Sequence, residues 1–167
     1  NAPTVQADAI GAGSALFDGV DDYIDTGTGI DLGSTTDFTI TVWAKTDDWT
    51  TEWVMGKWED GNNRWYLRGD SNDYLHFYSV SGGSVGINYT GTTALTGHQG
   101  KWVHLAIVAD RSANTKGYIN GILDDTDTTD DPNLDIDTDA NLTFGSYRET
   151  GDLKYFTGNI CQVGVWD

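Results

Sequence analysis

Four aspartates stand within the stretch ALFDGVDDYID, at positions 18, 21, 22 and 25. Carboxylates placed this closely repel one another, so they require a bound cation, hydrogen-bond donors or open solvent. Aspartate oxygens and the backbone carbonyls of a turn suit Ca²⁺, which takes about six to eight oxygen ligands. The alternative is a turn in which Asp18, Asp21 and Asp22 accept hydrogen bonds from nearby backbone N–H groups. The residue types leave both interpretations open.

A second set of chemistry-bearing residues lies between positions 47 and 74, where four of the seven tryptophans occur. An aromatic ring binds the apolar face of a sugar, while neighbouring Asn, Asp and Arg side chains hydrogen-bond its hydroxyls. Trp49 and Trp58 flank predicted turns and are expected to be exposed, whereas Trp53 and Trp65 fall in predicted strands and fit a core position better. The candidate ligand-binding residues from this segment and from a loop at 146–155 are Trp49, Trp58, Asn62, Arg64, Trp65, Tyr147 and Arg148. The alternative is that the aromatic residues fill the interior of a sandwich.

Groups suited to catalysis are few in this sequence. Cleavage of a glycosidic bond needs two carboxylates at a set separation, and the three glutamates, Glu52, Glu59 and Glu149, form no such motif on one strand. The three histidines match no catalytic arrangement, and His104 stands in a predicted central strand, where a packed, hydrogen-bonded role is the usual one. No nucleophile elbow, phosphate loop or zinc-ligand spacing occurs. The sequence therefore predicts a protein that is not an enzyme.

Composition narrows the classes of partner. The net charge is −17, from 26 acidic and nine basic residues among 167, which argues against a surface for nucleic acid or anionic membranes. No apolar run reaches the roughly 18 residues of a spanning helix, so no membrane insertion is expected. The single cysteine, Cys161, rules out an internal disulfide, and its alternation with Val163 and Val165 predicts a small buried hydrophobe. Because the chain starts with Asn, we expect a module of a larger protein with neighbouring domains.

The elements that must position these residues are strands. Twenty-one glycines, twenty aromatic residues and no sustained helical period predict an all-β chain. FTITVWAK (38–45) alternates apolar and polar residues, KWVHLAIVAD (101–110) is apolar on both faces like a central strand, and Asn120-Gly121 predicts a tight hairpin. The aspartate-rich segment 124–141 is interpreted as a solvated surface loop with part of a strand. We predict a single domain, residues 1–167, with an antiparallel β-sandwich of the jelly-roll type.

Five motifs occur in order along the chain: FDGxxDY (17–23), FTIxxW (38–43), KWxHxA (101–106), YxNG (118–121) and FxGxI (156–160). On these motifs the sequence resembles the laminin-G-like jelly-roll domains of the concanavalin A-like lectin/glucanase superfamily, of the bacterial or viral type. The resemblance covers roughly residues 10–167. It implies the jelly-roll fold, but the fold serves lectins, adhesion modules and some glycan-cleaving enzymes alike.

The resemblance also implies a metal site. Similar modules hold calcium where the first turn meets the last strand, which here points to Asp18, the Gly19 carbonyl, Asp22 and Asp167. The sequence departs from the family pattern at Cys161, where an acidic residue is common, and a thiol is a poor calcium ligand.

Together these features predict a non-catalytic carbohydrate- or receptor-binding module stabilised by calcium. Its partner would be a glycan or a cell-surface receptor, and its place would be an extracellular protein or a virion surface, as in a viral fibre. The alternative is a structural or adhesive spacer domain without a sugar pocket.

Overall fold

The computed structural model describes residues 1–30, 32–34, 36–128, 134–149 and 152–167, with the backbone alone at residues 148, 149 and 152. The elements in chain order are β1 (Thr4–Gln6), β2 (Ser14–Asp18), β3 (Ile24–Asp25), β4 (Phe38–Lys45), β5 (Trp53–Asp60), β6 (Asn63–Gly69), β7 (Tyr74–Ser81), β8 (Ser84–Ala94), a 3-10 turn (Leu95–His98), β9 (Val103–Ala109), β10 (Thr115–Ile119), β11 (Ile122–Asp127), β12 (Leu142–Phe144), β13 (Ser146–Glu149), β14 (Asp152–Tyr155) and β15 (Thr157–Trp166). Among the described residues, no helix has the length and apolar character needed to cross a membrane.

Two antiparallel sheets form a sandwich. The first runs in the order β1-β2-β15-β4-β9-β10-β11 and the second in the order β3-β12-β5-β6-β7-β8, while β13 and β14 form a separate hairpin. The first sheet contributes Ile40, Val42 and Leu105 to the buried core, and the second contributes Trp65 and Phe77. The predicted all-β jelly-roll class is therefore confirmed.

Local sequence patterns set several of these strands. In β4, the buried residues Phe38, Ile40, Val42 and Ala44 alternate with half-buried ones, as the sequence predicted. Strand β9 pairs with β4 on one side and β10 on the other, which confirms its central position. The β10–β11 hairpin turns at Asn120-Gly121, where both residues have positive φ angles of 52° and 77°. Such angles are typical of a tight hairpin turn, and glycine adopts them without steric cost.

The last strand departs from simple alternation. A bulge between Cys161 and Gly164 shifts the register of β15 on β4, and Gln162 adopts a φ of 48°. The extra residue reverses the alternation, so Val163 packs against the main core, as Ile160 does, whereas Cys161 is buried under the segment around Ile10. The prediction that Cys161 shares a face with Val163 and Val165 is therefore wrong, although the thiol is buried as expected.

Among the described residues, seven aspartates act as turn residues. A side-chain oxygen accepts the backbone N–H two positions ahead at Asp18, Asp25, Asp48, Asp60, Asp70, Asp110 and Asp135. An aspartate carboxylate has the length to close this turn, which accounts for Asp rather than Glu at these seven positions. Tight turns thus account for part of the acidic composition.

Lys57 fixes the acidic segment to the second sheet. Its side chain is fully buried, and its ammonium donates to Asp137 Oδ1 at 2.9 Å and to the Ile30 carbonyl at 2.7 Å. The segment 124–141 is interpreted from the sequence as solvated surface, but two of its carboxylates bind the second sheet. Asp137 binds Lys57, and Asp124 accepts the Tyr89 hydroxyl at 3.0 Å. Residues 129–133 of that segment lie outside the described part of the chain.

We expect Lys57→Met to lower the free energy of unfolding by about 2–4 kcal/mol, because the Ile30 carbonyl and the half-buried Asp137 lose their donor. Urea unfolding followed by tryptophan fluorescence measures the change.

Lys45→Met is the matched control, because Lys45 forms an exposed ion pair with Asp8 and should lose less than about 1 kcal/mol. Equal losses in the two variants would contradict the structural role of Lys57.

Candidate functional site

The outer face of the second sheet carries an aromatic cluster. Successive strand residues point to opposite faces, so Trp65 and Leu67 of β6 enter the core while Tyr66 lies on the other side. We define the aromatic cluster as Trp53, Trp58, Tyr66, Tyr78 and Tyr147. It is separate from the main core, so its rings form a second apolar layer on the outside of the sheet.

The rings of the cluster pack in a fixed order. Tyr147, supplied by β13, stacks on Trp53 at 3.9 Å between ring centroids and contacts the edge of Trp58 at 4.5 Å. Tyr66 lies edge-on to Trp53 at 4.6 Å and stacks on Tyr78 at 5.5 Å. These offset and edge-to-face contacts stabilise aromatic pairs, so the rings are held in place before any ligand arrives.

A cavity of about 360 Å³ opens at the Trp58 end of the cluster. We call it the Trp58 pocket; its lining residues are Asp25, Gly56, Trp58, Glu59, Asp139, Ala140, Asn141, Thr143 and Tyr147. Trp58 and Tyr147 provide apolar surface. The hydrogen-bonding side chains are the carboxylates of Asp25, Glu59 and Asp139, the amide of Asn141 and the hydroxyl of Thr143. A pocket that combines aromatic rings with hydrogen-bonding side chains suits a small polar ring such as a sugar.

Hydrogen bonds fix the polar side of the pocket. Asn141 donates through Nδ2 to Asp25 at 2.9 Å, and Gly27 donates its backbone N–H to the same carboxylate at 2.9 Å. Thr143 donates its hydroxyl to the Ser146 carbonyl at 3.1 Å. At Gly56, an added Cβ would lie 2.5 Å from the Trp65 carbonyl oxygen, so the strand there tolerates no side chain.

Two arginines and a histidine continue this face along β6 and β7. Arg64 lies over Trp58 at 4.7 Å, and Arg68 lies over Trp53 at 4.8 Å. Arg68 donates through Nε to His76 Nδ1 at 3.3 Å. Burial lowers the pKa of His76, so the imidazole is neutral at neutral pH and accepts the arginine hydrogen bond.

The structure brings together only part of the predicted ligand set. Trp58 and Tyr147 meet in the Trp58 pocket, and Arg64 lies on Trp58. Asn62 is exposed in the β5–β6 turn, outside the pocket lining. The side chain of Arg148 lies outside the described part of the structure.

Two predicted ligand residues are core residues instead. Trp49 was expected to be exposed beside a turn, but it is fully buried, with its backbone packed against Gly69. Trp65 is equally buried, because it occupies an inward position of β6. Both belong to the main core, so neither side chain is open to a ligand from solution.

Other pocket residues were not predicted from the sequence. Asp25, Glu59, Asp139 and Asn141 reach the Trp58 pocket from three separate segments, and no spacing in the sequence links them. For Tyr66 and Tyr78 a signal did exist, because the alternation within RWYLR (64–68) and HFY (76–78) places them on the same face as the arginines and His76.

The aspartates of the first turn do converge. Oxygens of Asp18, Asp21 and Asp22 lie within 4.8 Å of one another, so Asp21 joins the predicted set. The turn interpretation also holds, since Asp18 Oδ1 accepts the Val20 N–H at 2.8 Å, which lowers the pKa of Asp18. The second oxygen of Asp18 remains able to ligate a cation, whereas both oxygens of Asp21 accept the Asn1 side-chain amide at 2.9 Å.

Asp167 lies away from this cluster, which corrects its assignment as a fourth ligand. Strand β15 runs antiparallel to β2, so its first residue, Thr157, pairs with Asp18. Asp167 follows the last residue of the strand and lies near Asp37 and Phe38. The strand of ten residues, about 30 Å long, separates the two ends.

Comparison with known proteins gives a family and a fold. The Laminin_G_3 family model, described as concanavalin A-like lectin/glucanases superfamily, matches residues 18–167. A comparison with curated protein sequences finds no match. Among solved structures, domain 4 of AbnA, an extracellular arabinanase from Geobacillus stearothermophilus in complex with arabinotriose, has a TM-score of 0.72 at 24% identity, covering 97% of this chain and 74% of that one.

Two further structures are similar over most of this chain. Domains LG4-5 of the mouse laminin alpha1 chain have a TM-score of 0.70 at 16% identity, covering 90% of this chain and 41% of that one. The binding domain of botulinum neurotoxin DC, in complex with rat synaptotagmin II, has a TM-score of 0.65 at 18% identity, covering 99% and 42%. At these identities the likeness establishes the shared fold.

We expect the neutral state of His76 to give a pH dependence of stability. Its pKa in the folded state is below the ordinary value of 6.5, so the unfolded chain binds more protons in mild acid. The free energy of unfolding should therefore fall as the pH drops below about 6.5, and His76→Gln should reduce that slope. Urea unfolding at a series of pH values measures it.

His98→Gln removes a histidine from the 3-10 turn and serves as the control. If the His98 and His76 variants keep the same slope as the unsubstituted chain, the coupling between His76 and the fold is absent.

Proposed function

Because the chain belongs to the concanavalin A-like lectin/glucanase superfamily, we propose that it is a non-catalytic carbohydrate-binding module. The Trp58 pocket is the observation that carries this proposal, since it joins two aromatic rings to a rim of carboxylate and amide groups. Sugar recognition needs both components, because the ring faces contact C–H groups while the oxygens and amides bind hydroxyls. The arabinanase domain bound to arabinotriose supports the proposal as a similar fold with a saccharide ligand.

One of the three carboxylates that line the pocket, Asp25, is already hydrogen-bonded within the protein. Asp25 accepts hydrogen bonds from Asn141 and Gly27, so it acts as a fixed acceptor in the rim. A glycosidase needs one carboxyl group that delivers a proton and a second that attacks or activates water. Ligand recovered unchanged after long incubation with the protein is the result expected of a binding module.

The module is proposed to work outside the cell or on a virion surface, as one part of a larger protein. Similar domains occur in an extracellular arabinanase, in laminin and in a neurotoxin whose structure includes synaptotagmin, and this chain spans less than half of the laminin and neurotoxin chains. A cell-surface receptor would in this proposal be recognised through its glycan. A spacer without a sugar site is the alternative, and the low exposure of Trp53, Tyr66 and Tyr147 fits it.

We expect Trp58→Ala to weaken glycan binding by about 10- to 50-fold, because the half-buried ring supplies an apolar wall of the pocket. A glycan array identifies the ligand, and isothermal titration with that glycan compares the variants.

Trp166→Ala is the matched control, since Trp166 is 56% exposed at the end of β15 and lines no part of the pocket. Retained affinity in the Trp58 variant, or no glycan bound by the intact chain, would favour the spacer alternative.

We also propose that Ca²⁺ binds at the first turn through Asp18, Asp21 and Asp22, with the Gly19 carbonyl as a further candidate ligand. Three carboxylates with oxygens within 4.8 Å suit a hard cation, and Asp22 is buried, so neutralising its charge would stabilise the fold. The ion would be structural, since it would tie the end of β2 to the turn that follows.

A chelator should lower the melting temperature of the intact chain by about 5–10 °C if calcium had been present at about 100 times its dissociation constant. Asp22→Asn should melt at the lower temperature with or without calcium. The control, Asp167→Asn, should keep the full calcium response, because Asp167 lies at the far end of β15. An unchanged melting temperature in the chelator would remove calcium from the proposal.

A further inference from the structure

Arg64 and Arg68 form a positively charged pair in a strongly acidic protein. Both occupy outward positions of β6, with Tyr66 between them, and both are half-buried. The chain has 26 acidic residues, yet among the described residues neither arginine forms an ion pair with a carboxylate. A buried or half-buried charge is normally paired, so the missing counter-charge points to a ligand.

Aromatic rings hold the two guanidinium groups in place. Arg64 lies over Trp58 and Tyr78 at 4.7 and 5.6 Å, and Arg68 lies over Trp53 and Tyr66 at 4.8 and 5.4 Å. A guanidinium that rests against a ring keeps its N–H edges directed sideways, where a planar carboxylate can bind through two hydrogen bonds. The positions of the two guanidinium groups are therefore fixed before a ligand binds.

Few of the ten N–H donors of these two arginines are used within the described chain. Arg64 donates through Nη1 to the Gly61 carbonyl, while its buried Nε has no hydrogen-bond acceptor in the described structure. Arg68 donates through Nε to the neutral His76, whose other nitrogen lies 3.2 Å from Asn88 Oδ1. His76 thus orients Arg68 without neutralising its charge.

We propose that the arginine face, made of Arg64, Tyr66, Arg68, His76 and Tyr78, binds the carboxylate groups of an acidic oligosaccharide. This inference rests on the proposed glycan-binding function and names the class of glycan. Arg64 and Arg68 are four residues apart on one strand, about 13 Å between Cα atoms, and each guanidinium lies on its own pair of rings, so the proposed ligand carries an acidic sugar for each arginine.

In this proposal the Trp58 pocket binds a neutral sugar of the same oligosaccharide. Asp25, Glu59 and Asp139 line it, and their charge repels a carboxylate there, whereas Arg64, which lies on Trp58, attracts one beside it. The recognised glycan is therefore one in which neutral and carboxylate-bearing sugars both occur. The net charge of −17 repels anions at long range, but physiological salt screens this beyond about 8 Å and leaves direct contacts.

The test uses the intact chain at 0.15 M NaCl and two probes that differ only in charge. One is a hyaluronan oligosaccharide, with alternating glucuronate and neutral sugars, and the other is the same oligosaccharide with its carboxylates reduced to alcohols. The same comparison is made on an array of other uronate-containing oligosaccharides and their reduced forms. We expect at least one acidic member to bind at least tenfold more tightly than its reduced form.

Arg64→Gln and Arg68→Gln should each weaken binding of that acidic glycan by about 10- to 100-fold, the range expected when a charged hydrogen bond is lost. Arg68 does not line the Trp58 pocket, so Arg68→Gln should leave binding of the reduced glycan unchanged. Arg64→Lys and Arg68→Lys keep the charge but lose the planar fork, so they should restore binding only in part. Lys116→Gln, an exposed charge on β10 of the other sheet, is the matched control and should bind like the intact chain.

The failures of the two proposals are distinguishable. If neutral glycans bind in a Trp58-dependent way and the arginine variants bind all probes normally, the arginine face is not a carboxylate site and the proposed function stands. A sulfated glycan that binds more tightly than every carboxylated one would also overturn the carboxylate assignment. If no glycan binds at all, the proposed function and this inference are both wrong.

Discussion

The alternation of side chains across β5, β6 and β7 is the constraint on which the rest of this structure depends. One set of positions places Trp65, Leu67 and Phe77 in the sandwich core, and the intervening set places Tyr66, Tyr78 and the arginines on the outer face. A shift of one residue in any of these strands would exchange the two sets. The buried row therefore fixes the register, and the register fixes the geometry of the outer row.

The outer row shows how an acidic protein can keep a positive site. The rings of Trp53, Trp58, Tyr66 and Tyr78 support the guanidinium groups through cation–π contacts, which need no carboxylate partner. A carboxylate in these positions would neutralise the arginines and occupy the donors that the proposed ligand would need. Aromatic support thus orders the side chains and leaves their charge available.

The aspartates divide into two chemical roles. Many close turns by accepting the N–H two residues ahead, and this local bond satisfies the carboxylate wherever the turn lies on the surface. Asp18 does the same, but Asp21 and Asp22 lie close enough to it that hydrogen bonding alone leaves several negative charges together. The first turn differs from the others in this density of charge, which is why the calcium proposal is confined to it.

The sequence by itself determined the fold class, the alternating β4, the doubly apolar β9 and the Asn120-Gly121 turn, because each follows from the residue types within one short segment. It also selected Trp58, Tyr147 and Arg64 by residue type as candidate ligand residues, and the structure places these three together. Tertiary structure decided which rings are exposed, since Trp49 beside a turn is buried in the main core. It also decided which carboxylates meet, since an antiparallel strand places Asp167 about 30 Å from Asp18. It also assembled the Trp58 pocket from Asp25, Glu59, Asp139 and Asn141. Those residues meet only through pairing between strands far apart in the chain, and no local pattern records such pairing.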